Sequence, residues 1–286
     1  MDDLNIRTAG RAGRITFTRP KALNALTHEM ALAIHAALDR WRDDPAVALA
    51  VIDAEGERAF CAGGDIAAVY HAGRAGDHQL GRDFFRDEYR MNAAIADYPK
   101  PIIAFMQGVV MGGGVGVGGH AGHRIVGDTT RIAMPESGIG LIPDVGGSWL
   151  LAHAPGRIGE YLALTGDRMG PGDAIHAGFA DSYVPEAEWP ALIARLEETG
   201  DATIIQGAPP PEAPLATRDL SAFGGRGLAE IIAALEDAGD EAALAPLRRN
   251  SPLSMAAGLA LVRAARRDGR IEDALSREYR FTARAT

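Results

Sequence analysis

The chain has 286 residues, of which 29 are basic and 38 acidic, giving a formal net charge of −9. At about 150 residues per domain the length fits one large domain or two small ones, and a composition of 47% apolar and 23% charged residues can bury a substantial core. The acidic balance argues against broad nucleic-acid binding, no stretch approaches the roughly 18 apolar residues of a membrane span, and the lone Cys61 excludes an intrachain disulfide and fits a reducing cytoplasm.

The opening, MDDLNIRTAG, has neither the basic cap nor the apolar run of a secretory signal. RITF at 14–17 reads as a short strand ending at Arg19-Pro20. Thr27 is placed to cap a helix that carries Met30, Ile34, Leu38 and Trp41 on one face, and Pro45 stops it. ALAVIDA (48–54) predicts a buried strand, and FCAGGD (60–65) follows. The polar stretch around 71–81 reads as a loop, a helix is expected from Asp83 to Ala96, and PIIAFM (101–106) as a core strand after Pro99-Lys100-Pro101. Strands alternating with helices indicate an α/β architecture.

Glycine supplies 35 of 286 residues, about 12% against an average near 7%, and its densest cluster is QGVVMGGGVGVGG at 107–119. RIVGD and the proline-marked MPESGIGLIPDVGGS (134–148) come next, then helical segments near 157–164, 172–176 and 186–198. GAPPPEAP (207–214) has the composition of a rigid linker, and the remainder reads as helical, with LAEIIAALEDAG closing on a glycine. The expected division is therefore a core over 1–206 and a linker with helices over 207–286.

Gly114-Val-Gly116-Val-Gly118-Gly119 formally satisfies G-x-G-x-x-G, but the acidic residue needed for a dinucleotide site would be Glu136, which sits between two prolines. Two other readings fit better: close helix packing, or exposed backbone N–H groups that receive developing negative charge. Ala62-Gly63-Gly64-Asp65 can expose an N–H in the same way. Cys61 reads as a small buried apolar residue, because its nearest histidine in sequence, His71, falls in the expected loop. His120 and His123 lack further ligands, so no metal is expected. Glu136 and Asp144 each follow a proline in an apolar, glycine-rich stretch, where a carboxylate is either paired, a cap or functional. Glu88, among Phe84, Phe85 and Tyr89, is a helix-surface charge or a cavity-lining group.

Taken in order, RPKALNAL (19–26), FCAGGDI (60–66), KPIIAFMQGVVMGGGVGV (100–117), MPESGIGLIPDVGGS (134–148) and LALTGDRM (162–169) resemble the crotonase (enoyl-CoA hydratase/isomerase) superfamily. The resemblance implies a spiral of repeated ββα units with a C-terminal helical region. FFRDEY, MGGGVGV and PESGIGLIPDVGG are similar to the versions in its 3-hydroxyisobutyryl-CoA hydrolase branch. By that resemblance the N–H groups of Gly64 and Gly113 form an oxyanion hole, Glu136 and Asp144 are the catalytic carboxylates, and Glu88 and Gly113 also contact substrate. Lys21, Ala22, Ala62, Asp65 and Ile66 fall on segments lying along CoA.

Hydratases of the superfamily carry a second glutamate where this chain has Gly116, and glycine where it has Asp144. The implied activity is thus hydrolysis of a short branched 3-hydroxyacyl-CoA, with no cofactor beyond the CoA of the substrate. A hydratase or isomerase of the same fold, a non-catalytic acyl-CoA binder and, more remotely, a nicotinamide oxidoreductase are the alternatives. Family members continue for several tens of residues beyond the segment resembling LSREYRFTARAT, into helices that help complete the domain and the subunit contacts, so the resemblance implies a chain truncated relative to the family, with its assembly as a homo-oligomer left open. Arginines 248, 249, 263, 266, 267 and 270 are either solvated or directed at CoA phosphates.

Overall fold

A computed structural model of the chain describes residues 3–285. It begins with β1 (Leu4–Ala9), β2 (Ala12–Phe17) and α1 (His28–Arg42). Thr27 caps α1 as the spacing predicts, its side chain accepting from the Met30 N–H at 3.2 Å, and Met30, Ile34, Leu38 and Trp41 are buried.

Three turns of a spiral follow, each placing one strand in each of two sheets. The first turn is β3 (Leu49–Ala54), β4 (Ala59–Cys61), α2 (Ile66–Arg74) and α3 (Gln79–Ala96). The second is β5 (Ile102–Met106), β6 (Val109–Met111) and α4 (Gly113–Gly118). The third is β7 (His123–Val126), β8 (Arg131–Ala133), a 3-10 turn at Glu136–Ile139 and α5 (Gly147–His153). After α6 (Ile158–Thr165) and α7 (Pro171–His176), β9 (Ser182–Tyr183) adds a last edge strand. The larger sheet has the order β1-β2-β3-β5-β7-β9, parallel except for the β1–β2 hairpin, and the smaller is the parallel set β4-β6-β8. These are the ββα repeats and α/β class that the motifs imply.

The continuous apolar run LAVI of β3 is explained by cover on both faces of the larger sheet. Leu49 and Val51 join Ile103, Phe105 and Ile125 under Trp189, Leu192 and Leu196 of α8 (Trp189–Thr199). Ala50 and Ile52 face the main core instead, with Phe17, Ala104 and Met106.

Beyond α8 the proline-rich run from 207 to 214 is irregular but pinned. Ala208 bridges to Tyr183, and the Leu215 N–H donates to Asp173 of α7 at 2.8 Å. Helices α9 (Leu228–Ala238), α10 (Glu241–Arg249), α11 (Pro252–Ala265) and α12 (Ile271–Ala285) close the chain. Met255, Leu259, Val262, Ala274 and Leu275 from the last two join the main core, so this region packs onto the spiral rather than apart from it. No helix among the described residues is long and apolar enough to cross a membrane.

Two expectations are corrected. His71 lies in α2, and α3 starts at Gln79 rather than Asp83, so most of the expected 71–81 loop is helical. Strand β1 and helix α5 were not foreseen from the sequence pattern.

Candidate active site

The smaller sheet builds the site. Val110 pairs with Cys61 on one side and with Ile132 on the other, and Met111 pairs with Ala133. Adjacent strands lie about 4.8 Å apart, so the residues just past their carboxyl ends are brought together in space. Those residues are Gly63-Gly64 after β4, Gly112-Gly113 after β6 and Pro135-Glu136 after β8. Carboxyl ends of parallel strands are where open α/β folds bind ligands.

Glycine is required at this convergence by close approach. A Cβ on Gly113 would stand 2.6 Å from Glu88 Oε1 and 3.2 Å from the Gly64 nitrogen, and one on Gly112 would stand 3.0 Å from Glu136 Oε1. The next residue, Gly114, abuts the Cys61 carbonyl so closely that any side chain would collide. Among the described residues, neither the Gly64 nor the Gly113 N–H donates to a protein acceptor.

Gly64, Gly113, Glu88, Glu136 and Asp144 all line one cavity of about 170 Å³, together with Phe84 and Phe85. Its three carboxyl groups are buried: Glu88 is 2%, Asp144 5% and Glu136 6% exposed. Desolvation disfavours the charged form of each, and proximity adds like-charge repulsion. Burial, then the Asp144 charge, push Glu88 and Glu136 well above the usual carboxylate range. Burial also pushes Asp144 up, to about 6, but the Tyr89 hydroxyl donates to its Oδ2 at 2.6 Å and restrains the rise. Glu88 Oε1 and Glu136 Oε2 have no hydrogen-bond partner among the described residues. Asp144 is therefore the most acidic of the three.

The segments assigned to CoA lie alongside. Backbone bonds from Leu26 N to Gly63 O (2.9 Å), from Ala62 N to Leu23 O (3.0 Å) and from Asp65 N to Leu26 O (2.7 Å) hold 23–26 against 62–65. Ala62 and Ile66 line the cavity, whereas Lys21 and Ala22 are exposed on a 3-10 turn outside it. Asp65 does not line it either, and pairs with Arg19 at 3.2 Å. A second, outer chamber of about 380 Å³ adjoins the first through Ile66, Phe85, Ile139 and Leu141, with Tyr70 and Arg74 on its wall.

Gly116 lies behind the cavity. A Cβ there would meet Asn92 Nδ2 at 2.7 Å and Val145 Cβ at 2.8 Å, so a side chain at this position has no room.

Cys61 is fully buried, as expected of a packing residue, and burial pushes its thiol up to about 12. His120 Nε2 is 2.8 Å from the Val145 carbonyl, which ties it to the loop bearing Asp144. The six arginines stay away from both chambers. Arg266 pairs with the buried Glu160 of α6 at 2.6 Å and Arg263 lies 3.7 Å from it, while Arg248 and Arg270 bind Glu241 and Glu272 on the surface.

Two residues at the site escaped sequence reasoning. Tyr89 was noted only as an aromatic neighbour, yet its hydroxyl sets Asp144. Glu278 of α12 is fully buried and accepts from the N–H groups of Gly146 and Ser148. It stands on the buried stripe Ile271, Ala274, Leu275, Glu278 and Thr282, and a charge on an apolar helical stripe was the available signal.

The enoyl-CoA hydratase/isomerase family model matches residues 12–286. Among curated relatives, the mitochondrial 3-hydroxyisobutyryl-CoA hydrolase of Xenopus tropicalis is 50% identical over 184 residues, covering 64% of this chain and 48% of the relative. The 3-hydroxyisobutyryl-CoA hydrolase 1 of Arabidopsis thaliana is 37% identical over 287 residues, covering 93% and 75%. The match thus spans about half the length of the frog relative. A solved structure described as an enoyl-CoA hydratase from Rhodobacter sphaeroides superposes with a TM-score of 0.94 at 57% identity, covering 99% of this chain and 85% of that one. The chain belongs to the enoyl-CoA hydratase/isomerase family, the crotonase superfamily to which its glycine-rich strand ends point.

Proposed function

We propose that the chain hydrolyses a short branched 3-hydroxyacyl-CoA thioester, 3-hydroxyisobutyryl-CoA being the best candidate, a reaction of valine breakdown. The observation that carries this reading is the pairing of Glu136 and Asp144 at one cavity whose Gly116 side is closed. The names of the frog and Arabidopsis relatives support it. In this reading the thioester carbonyl sits at the Gly64 and Gly113 N–H groups, and the acyl group lies toward Glu88 and Asp144.

Water gives a proton to Glu136 as its oxygen bonds to the thioester carbon, and the carbonyl electron pair moves onto the oxygen facing the two N–H groups. On collapse the C–S bond breaks, the thiolate takes a proton from Asp144, and the acid and free CoA leave. Direct attack by Glu136, giving a mixed anhydride that water then opens, uses the same groups. Either route runs through the arrangement in which the one proton of the pair has passed from Glu136, its resting place, to Asp144, so that Glu136 acts as base or nucleophile and Asp144 as acid. Repulsion from the Asp144 charge adds to burial in raising Glu136, so kcat/KM is expected to be bell-shaped, with an acid limb near the value of about 6 for Asp144 and an alkaline limb set by Glu136.

Hydration of an enoyl-CoA is the second reading, favoured by the description of the Rhodobacter sphaeroides structure. It would need a second acid/base glutamate in the glycine-rich helix, where Asn92 and Val145 leave no space. Glu136→Gln removes the base while keeping the shape. Release of thiol from 3-hydroxyisobutyryl-CoA should fall by about a hundredfold or more; an unchanged rate means that Glu136 does not have this role.

A further inference from the structure

The loop that presents Asp144 is held in an unfavourable shape. Val145 has a φ of +54°, a left-handed conformation that β-branched residues rarely enter and that persists only where neighbouring groups enforce it. Three groups do so. The Tyr89 hydroxyl donates to Asp144, His120 Nε2 meets the Val145 carbonyl at 2.8 Å, and Glu278 takes the two amides that follow. Glu278 Oε2 accepts from the Gly146 N–H at 2.8 Å, and Oε1 accepts from the Ser148 N–H at 3.1 Å and from the Ser148 hydroxyl. One turn further along α12, Thr282 Oγ1 lies 3.1 Å from the Tyr89 hydroxyl. The helix thus reaches Asp144 from both sides, once through Tyr89 and once through the loop backbone.

Burying a carboxyl group is costly unless its oxygens are satisfied, and here both oxygens are spent on one bend of the chain. Among the described residues Gly146 and Ser148 have no other acceptor for these groups, so removing the carboxylate frees the bend to relax its left-handed residue. We propose that Glu278 is a positioning residue of the active site: through the Gly146 and Ser148 amides it fixes the bend that aims Asp144 at the substrate. This rests on the hydrolase reading for what Asp144 does there.

Glu278→Gln keeps the size of the side chain and one acceptor, but sets an NH₂ against the Gly146 N–H. The expected result is a fall in kcat for thiol release of between about tenfold and a hundredfold, with KM changed less than about twofold because the strand-end glycines and the 23–26 segment are untouched. The Gly146 and Ser148 amide protons, assigned by NMR, should move upfield in the variant. A wild-type kcat in the folded variant, or unmoved amide signals, overturns the proposal. Asp144→Asn run in the same assay separates the two ideas. If it is inactive while Glu278→Gln is fully active, the positioning role fails alone. If Asp144→Asn also releases thiol at the wild-type rate, the role of Asp144 fails while hydrolysis stands, and if the wild-type protein releases no thiol the hydrolase reading itself fails; in either case the amide signals alone judge the anchor. Should the variant not fold, the wild-type protein still decides, because fast-exchanging Gly146 and Ser148 amides would contradict the anchor.

Discussion

Glu136 and Asp144 are both carboxyl groups in the same cavity, and what separates them is the phenol of Tyr89. Burial and the Asp144 charge also push Tyr89 itself up, so it remains a donor throughout the working pH range. Its bond to Asp144 stabilises that carboxylate selectively, leaving the shared proton on Glu136 in the empty site. Removing the donor should raise the Asp144 value, because hydrogen bonding to the charged form is lost while burial stays. Tyr89→Phe is therefore expected to shift the acid limb of kcat/KM to higher pH, and a pH–rate profile measures this directly; an unmoved limb would detach Asp144 from that ionisation. Glu136 and Asp144 stand out in the sequence as carboxylates preceded by proline in an apolar stretch, but a cap or a turn would explain either alone, and their role is implied only by the resemblance of PESGIGLIPDVGG to the hydrolase branch. The role of Glu278 was not legible, because the amides it serves lie more than 100 residues away and only folding brings them together.

At the scale of elements, three short parallel strands do the assembly. The motif segments 60–66, 108–117 and 134–136 were readable separately, but their meeting is a consequence of the β4-β6-β8 order, which no local pattern reveals. A helix was expected to follow Asp65, but the end of α2 around His71 was read as loop, because only Val69 of its nine residues is buried and the last turn has no large apolar residue to mark it. Strand β1 was missed for a similar reason: it is an edge strand with Leu4 alone buried. Two substitutions test the packing. Gly116→Ala should destabilise the fold by about 1–3 kcal/mol through overpacking against Asn92 and Val145, read as a lower midpoint in urea. Stability equal to wild type would show that the space behind the cavity is open. Thr27→Ala should cost about 1 kcal/mol by removing the α1 cap, with activity unaltered.

The whole molecule should register its buried acids in its pH dependence. Burial pushes Glu278 up to about 7, with the Asp144 charge adding to the effect, and Glu136 and Glu88 also lie well above the usual range. The folded state holds these protons where the unfolded chain has released them, so the stability they contribute is full at low pH and is lost as pH rises through their folded values. His120, pushed down by burial to about 4, has the opposite sign, but its contribution is complete above about pH 6.5. From pH 6.5 to 8.5 the acids act unopposed by it, and Tm is expected to decline. The decline should be shallower in Glu278→Gln, which has lost one of the titrating groups; equal slopes would remove Glu278 from the balance.

The central claim is that the converging strand ends, with Glu136 and Asp144, make a thioester-cleaving site rather than a double-bond-hydrating one. The most direct measurement follows two reactions of the same wild-type preparation: free thiol released from 3-hydroxyisobutyryl-CoA, and loss of the conjugated double bond of crotonyl-CoA. Rapid thiol release with little or no hydration is the predicted result. Rapid hydration without thiol release would contradict it.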